Sequence, residues 1–268
     1  MLPDIRPLAD DFHCTPTTLL GQRYPVWRSG DGPGVVVIHE IPGITPTVSR
    51  FARIVRDHGF TVFLPELFGE NDRPATPGSI ARQIVRVCIS REFHTFSTGG
   101  SSPIVDWLRA LCDQVHAELG GPGVGALGMC LTGNFALALS VSPSVKAPVL
   151  SQPSLPFPVT TSRKRAVHAS AQELSDVRKR IDAEGLRVLG LRFTHDPLCP
   201  KQRFQRLRDE LGDGFEAIEI YSGSRNQWGI RRTAHSVLTE ELVDDDGHPT
   251  KQALDRVLAF FREHLQAA

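Results

Sequence analysis

The chain has 268 residues, in which 30 Lys and Arg balance 30 Asp and Glu, and 40% of residues are apolar. These ordinary globular values exclude a disordered, collagen-like or coiled-coil chain, and a neutral balance gives no electrostatic footprint for nucleic acid or an anionic membrane. Five cysteines without framework spacing, and no C-x-x-C pair, argue against a disulfide scaffold or zinc ribbon and for a reducing compartment.

The first residues, MLPDIRPLADDFHC, carry acids where a secretory leader needs a basic stretch and then an apolar run. No apolar stretch approaches the ~18–20 residues of a membrane span, so a soluble, cytoplasmic protein is expected. Val35 to Ile38 has the content of a buried strand and runs into His39-Glu40-Ile41-Pro42-Gly43, which puts Glu40 at a strand's carboxyl end. Thr47 to His58 follows as a helix, with Val48, Phe51, Ala52, Ile54 and Val55 on one side and Gly59 as its stop. Phe60 to Leu64 is a second strand, closed by Pro65. A polar, Pro- and Gly-punctuated stretch runs from Glu70 to Gly100, before a helix from Ile104 to Leu119. Val124 to Met129 is the third strand, a helix includes Phe135 to Val141, and Ala147 to Leu150 is the fourth strand. Ser151 to Gly185 begins with Pro153, Pro156 and Pro158 and continues as a charged helical run from Ala171 to Ala183. Leu186 to Phe193, the helix Lys201 to Leu211, Phe215 to Tyr221 and the helix Gln252 to Leu265 complete the chain.

Near-continuous apolar strands suit a parallel sheet covered on both faces, and strand–helix alternation means right-handed crossovers. The expected fold is therefore α/β, a mostly parallel central sheet with helices on both faces. It forms a single domain over residues 1–268. The stretches near 70–100 and 151–185 are insertions, which either cover the carboxyl ends of the strands or decorate the surface.

The sharpest chemical feature is Gly128-Met129-Cys130-Leu131-Thr132-Gly133. A strand runs straight into a nucleophilic side chain and a helix-forming run follows, the context of a nucleophile elbow with Cys in place of Ser. Such a turn places the thiol at the positive end of a helix, and the next backbone N–H points where an oxyanion would form. The usual second Gly falls one position late, so Thr132 occupies its place. A nucleophile needs a base and an orienting acid. Asp196 follows the strand Leu186 to Phe193, and His235 follows the last strand, giving the chain order nucleophile, acid, histidine of an α/β-hydrolase. His195 is a competing histidine, and His248 lies in an acidic turn, Asp244-Asp245-Asp246-Gly247-His248, that reads as solvated rather than as a cation site.

Weaker signals carry less. Gly123-Val124-Gly125-Ala126-Leu127-Gly128 matches G-x-G-x-x-G but lies before and inside a strand, where no helix N-terminus faces a pyrophosphate. Trp27, Trp107 and Trp228 are too dispersed for a stacking platform. No histidine spacing suits a metal. Neither cofactor nor metal is expected.

Taken together, Glu40-Ile41-Pro42-Gly43, the Gly128-Met129-Cys130-Leu131 elbow, the Asp196 loop and Ala234-His235-Ser236 resemble the dienelactone hydrolase family over roughly residues 20–265. The resemblance implies an α/β-hydrolase fold and a Cys130–His235–Asp196 triad. It implies that Glu40 holds or deprotonates the resting thiol, and that the N–H groups of Leu131 and Ile41 form the oxyanion hole. The family's type reaction opens a dienelactone whose carboxylate is held by arginines, one of them four residues after the catalytic histidine. Here that position is Thr239, a departure from the pattern, while Arg91 is a candidate substrate contact. The loop from Tyr221 to His235 is longer than usual and carries Arg225, Trp228, Arg231 and Arg232.

The function read from this is hydrolysis of an ester, lactone or thioester on a small molecule, by a monomer or homodimer. A non-enzymatic member that binds a ligand is one alternative. A glutamine amidotransferase-type Cys hydrolase is another, although its His-x-Glu partner motif is replaced here by His235-Ser236-Val237.

Overall fold

The computed structural model describes residues 6–69, 71–76, 78–83 and 102–266. Three apolar strands form its centre: β3 (Gly34–Ile38), β4 (Thr61–Pro65) and β5 (Val124–Met129), with every residue buried. β6 (Val145–Ser151), β7 (Val188–Phe193) and β8 (Phe215–Ile220) follow. Strands so apolar on both sides need a layer of helices on each face, and they have one.

On one face lie α1 (Pro46–Asp57) and the closing helix α7 (Pro249–Leu265), packed over Val35, Val37, Leu127, Leu189 and Leu191. The other face carries α2 (Pro103–Leu119), α3 (Phe135–Leu139), α5 (Ala171–Glu184) and α6 (Lys201–Leu211). A short helix, α4 (Thr161–Arg165), precedes α5. Capping explains several starts. Thr45 accepts the Val48 N–H at 3.3 Å with Pro46 at the first turn, and Ser170 and Glu173 form a reciprocal capping box on α5. His248, next to the acidic turn, caps α7 by accepting the Thr250 N–H at 3.3 Å. None of the described helices is long and apolar enough to cross a membrane.

The sheet order is β1-β2-β4-β3-β5-β6-β7-β8, parallel from β4 to β8. Its first two strands, β1 (His13–Leu19) and β2 (Gln22–Ser29), form an antiparallel hairpin that extends the sheet beyond β4 and that the sequence reading did not anticipate. Leu20 and Gly21 turn it, both at positive φ, as a two-residue hairpin turn of matching twist requires. The chain runs from β3 through α1 to β4 on one side, then crosses back to β5 on the other. That reversal opens a crevice between the carboxyl ends of β3 and β5, the place where open α/β sheets bind ligands.

Candidate active site

Residue Cys130 leaves β5 at φ 55°, a left-handed conformation that is strained for a residue with a side chain and common at nucleophile elbows. The flanking glycines are steric necessities. A Cβ at Gly128 would stand 2.1 Å from the Thr132 carbonyl oxygen, and one at Gly133 would stand 2.6 Å from the Pro153 Cα. Thr132, in the place of the usual glycine, has a role of its own. Its hydroxyl accepts the Met129 N–H at 3.0 Å and lies 3.0 Å from the Ile38 carbonyl, tying the elbow to the end of β3. Cys130 opens a single 3-10 turn, and α3 beyond it has only five residues. The dipole expected to stabilise a thiolate is correspondingly small, so the nearby imidazole is the larger cationic influence.

That imidazole is His235. Its Nδ1 lies 2.7 Å from Asp196 Oδ2, and Asp196 Oδ1 accepts the Leu198 N–H at 2.8 Å, so the carboxylate is fixed on its own loop. Cys130 and the ring line the same cavity, and Cys130 acts on the ring electrostatically. Burial disfavours a charged imidazole. The charge of Cys130 and the hydrogen bonds to Asp196 and Cys130 outweigh it and hold His235 well above its ordinary value. His195 points elsewhere: it is exposed, hydrogen-bonds Thr194 and meets Tyr221 edge to face.

Glu40 is buried, but its hydrogen bonds run to the His235 loop and to Gln152, and not to the thiol. Oε2 accepts from Ser236 Oγ at 2.7 Å and from Gln152 Nε2 at 3.3 Å, and Oε1 accepts from Thr239 Oγ1. Burial raises its carboxyl above the ordinary range against the lowering influence of the Thr239 and Ser236 hydroxyls and of His235. Gln152 extends the clamp, because its Oε1 accepts the Val237 N–H at 3.3 Å. Thr239 therefore does not replace an arginine as a substrate contact, being buried with its hydroxyl spent on Glu40. His39 braces the same corner as a neutral ring. Its Nδ1 lies 3.0 Å from the Glu40 carbonyl and its Nε2 accepts the Leu67 N–H at 3.1 Å, while burial pushes its pKa down to about 4.

Glu40, Ile41, Cys130, Leu131 and His235 all line one cavity of about 250 Å³, joined by Ala75, Ile80, Phe157 and Leu198. Arg231 also lines it and is ion-paired to Glu241. Arg91 lies outside the described residues. A cavity of about 380 Å³ near Arg73 and Arg82 borders Pro42 but holds none of the groups singled out for chemistry. Among the described residues no group of three or more metal-ligating side chains occurs.

Two residues of the site gave no sequence signal. Ser154, fully buried, donates its N–H to the Cys130 carbonyl at 2.9 Å, and its Oγ lies 3.3 Å from His235 Nε2. Arg203, also fully buried, hydrogen-bonds the carbonyls of Pro153, Pro156, Arg163, Ala166 and Leu198 at 2.5–3.3 Å, fixing the loop that delivers Ser154 and Phe157.

The comparisons with known proteins bear on the family and the fold. The model of the dienelactone hydrolase family matches residues 23–265. No curated protein matches the sequence. Among solved structures, a Klebsiella pneumoniae subsp. pneumoniae MGH 78578 chain proposed to be a dienelactone hydrolase superposes with a TM-score of 0.64 at 17% identity, covering 94% of this chain and 98% of that one. The dienelactone hydrolase of Anabaena variabilis ATCC 29413 gives 0.61 at 12%, covering 96% and 99%. A dienelactone hydrolase-like promiscuous phosphotriesterase, P91, from metagenomic libraries gives 0.60 at 17%, covering 95% and 98%. At these identities the likeness is one of fold, and it agrees with the α/β-hydrolase architecture.

Proposed function

The chain belongs to the dienelactone hydrolase family of carboxylic ester hydrolases, and from that premise we propose that it cleaves an ester, lactone or thioester with Cys130 as nucleophile, His235 as base and Asp196 as orienting acid. The observation that carries this reading is convergence. A cysteine in strained left-handed geometry and a histidine bonded to a buried carboxylate at 2.7 Å open onto one cavity, from loops 66 and 39 residues removed from Asp196.

The Cys130 proton rests on His235 Nε2, and in the first half-reaction the thiolate so formed adds to the substrate carbonyl carbon. The N–H groups of Leu131 and Ile41, two residues that line the cavity, receive the oxyanion. As the carbonyl reforms, the carbon–oxygen bond to the leaving group breaks and that oxygen takes the proton from Nε2. In the second half-reaction water gives a proton to Nε2 and adds to the thioester. The sulfur leaves as thiolate, with that proton kept on Nε2. Asp196 keeps Nδ1 protonated throughout, so that Nε2 is the nitrogen that works.

A cavity lined by Ile41, Ile80, Leu131, Phe157 and Leu198 suits a small apolar acyl group. The test is turnover of p-nitrophenyl acetate before and after alkylation of Cys130, with Cys130→Ala alongside. The expected result is loss of hydrolysis in both. Retention of wild-type kcat by Cys130→Ala would reject the nucleophile, and glutaminase activity would favour the amidotransferase alternative.

A further inference from the structure

The hydroxyl of Ser154 is placed where neither the sheet nor the core needs it. Its backbone N–H is spent on the Cys130 carbonyl at 2.9 Å, which fixes it beside the elbow. Its Oγ donates to the Gln152 carbonyl at 2.9 Å. With that single proton committed, the oxygen has only lone pairs left for its remaining neighbour, His235 Nε2, at 3.3 Å. A hydroxyl oriented in this way meets a protonated Nε2 favourably and an unprotonated one unfavourably.

We propose that Ser154 is a positioning residue for catalysis: it accepts the Nε2–H of His235 and so favours the form in which Cys130 is thiolate and the ring is doubly protonated. The proton balance is simple. One proton leaves Cys130 Sγ and arrives on Nε2. Nδ1–H continues to donate to Asp196, and Nε2–H then has two acceptors, the sulfur and Ser154 Oγ. The second acceptor matters most after attack, when the sulfur is held in the neutral carbon–sulfur bond of the tetrahedral adduct and no longer holds the ring. Ser154 then keeps Nε2–H aimed into the site until the leaving oxygen takes the proton. The charged groups that act on the ring are Cys130 and Asp196, with the Glu40 carboxylate also interacting with it, and none of them can replace an acceptor at this position. The tilt toward the charged ring also agrees with the raised position of the His235 equilibrium.

This inference rests on the nucleophile assignment, and the experiment separates the two. Ser154→Ala should lower kcat/KM for p-nitrophenyl acetate about tenfold at pH 7. It should also move the midpoint of Cys130 alkylation by iodoacetamide, followed by peptide mass spectrometry, up by about one pH unit, the scale of one hydrogen bond to a charged group. Ser154→Thr, which restores the oxygen, should return the midpoint toward wild type. A residue that only packed would change thermal stability and leave the midpoint in place. Independently of any variant, ring ¹⁵N spectra of the wild-type protein should show both His235 nitrogens protonated at pH 7. An unmoved alkylation midpoint in folded Ser154→Ala, or an unprotonated Nε2 at pH 7, would overturn the role of Ser154 while Cys130→Ala stayed dead. Activity in Cys130→Ala would instead remove the nucleophile on which the inference depends.

Discussion

Asp196 and Glu40 are both buried carboxylates at the carboxyl ends of strands, 3% and 4% exposed, yet they hold the His235 loop by different atoms. Asp196 bonds the imidazole itself, through Nδ1 at 2.7 Å. Glu40 bonds that histidine's neighbours, Ser236 and Thr239, together with Gln152 from the loop after β6. One carboxylate is bonded to the ring, and the other to the residues that follow it on the loop. The difference teaches that a buried acid near a nucleophile is not automatically its proton acceptor. The resemblance implied that Glu40 restrains the thiol, whereas the hydrogen bonds it makes here are spent on the loop.

The largest test of this contrast is Asp196→Asn. If Asp196 acts through the ring, kcat should fall about 10³–10⁴-fold with KM and thermal stability nearly unchanged, as measured by steady-state kinetics and thermal melts. A loss confined to stability would erase the distinction between the two acids. Next in size is an acid response on the Glu40 side. His39 is neutral in the fold, with a pKa of about 4, but titrates near 6.5 when unfolded. Its contribution is therefore fully present above pH 6.5 and is lost as pH falls from 6.5 toward 4, by roughly 3 kcal/mol. Denaturant midpoints should drop over that window in wild type and more shallowly in His39→Phe. Equal slopes would mean that the ring is not the sensor.

Glu40→Gln should cost about ten- to a hundredfold in kcat, because hydroxyls that now donate to a carboxylate must face an amide and the His235 loop shifts. If the loop is the cause, Thr239→Val should reproduce part of that loss. The double variant should then cost less than the sum of the two, since both cut one network. Strict additivity, or a large change in alkylation of Cys130 in Glu40→Gln without any in Thr239→Val, would instead return Glu40 to the thiol. The smallest effect is expected from Thr239→Val alone, about threefold in kcat and 1–3 kcal/mol in stability, from losing a buried hydrogen bond.

Much of this was legible in the chain. The six parallel strands announce themselves by their apolar content, β8 in spite of Glu216 and Glu219, and their observed limits move by only a residue or two, as where Phe60 to Leu64 becomes Thr61–Pro65. Helix starts drift toward prolines, at Pro46, Pro103 and Pro249, because proline is already set for a first turn. The hairpin escaped because β1 is a polar edge strand, and Pro16 faces Pro25 across the pair, a signature that argues against strands in isolation. The elbow glycines could be found because they flank the end of an apolar strand, and Cys130, Asp196 and His235 because each follows a strand. The Glu40 clamp could not, since its partners stand 112, 196 and 199 residues away and are ordinary Gln, Ser and Thr. Ser154 was hidden for the same reason: a serine after a strand acquires meaning only from what folds against it.

Arg203 grips the 153–166 loop entirely through main-chain carbonyls, which every amino acid supplies. The path of that loop is thereby uncoupled from the identity of most of its side chains. In a saturation library, the exposed positions Val159 and Thr161 should accept almost any residue, whereas Thr160 caps α4 by accepting the Arg163 N–H at 3.2 Å. Position 203 should accept nothing else, lysine included, because three ammonium donors on one atom cannot span five separated oxygens. A stretch bordering the cavity is then free to diversify while one guanidinium keeps it in place, a ready route by which related chains could acquire new substrates without refolding their catalytic centre.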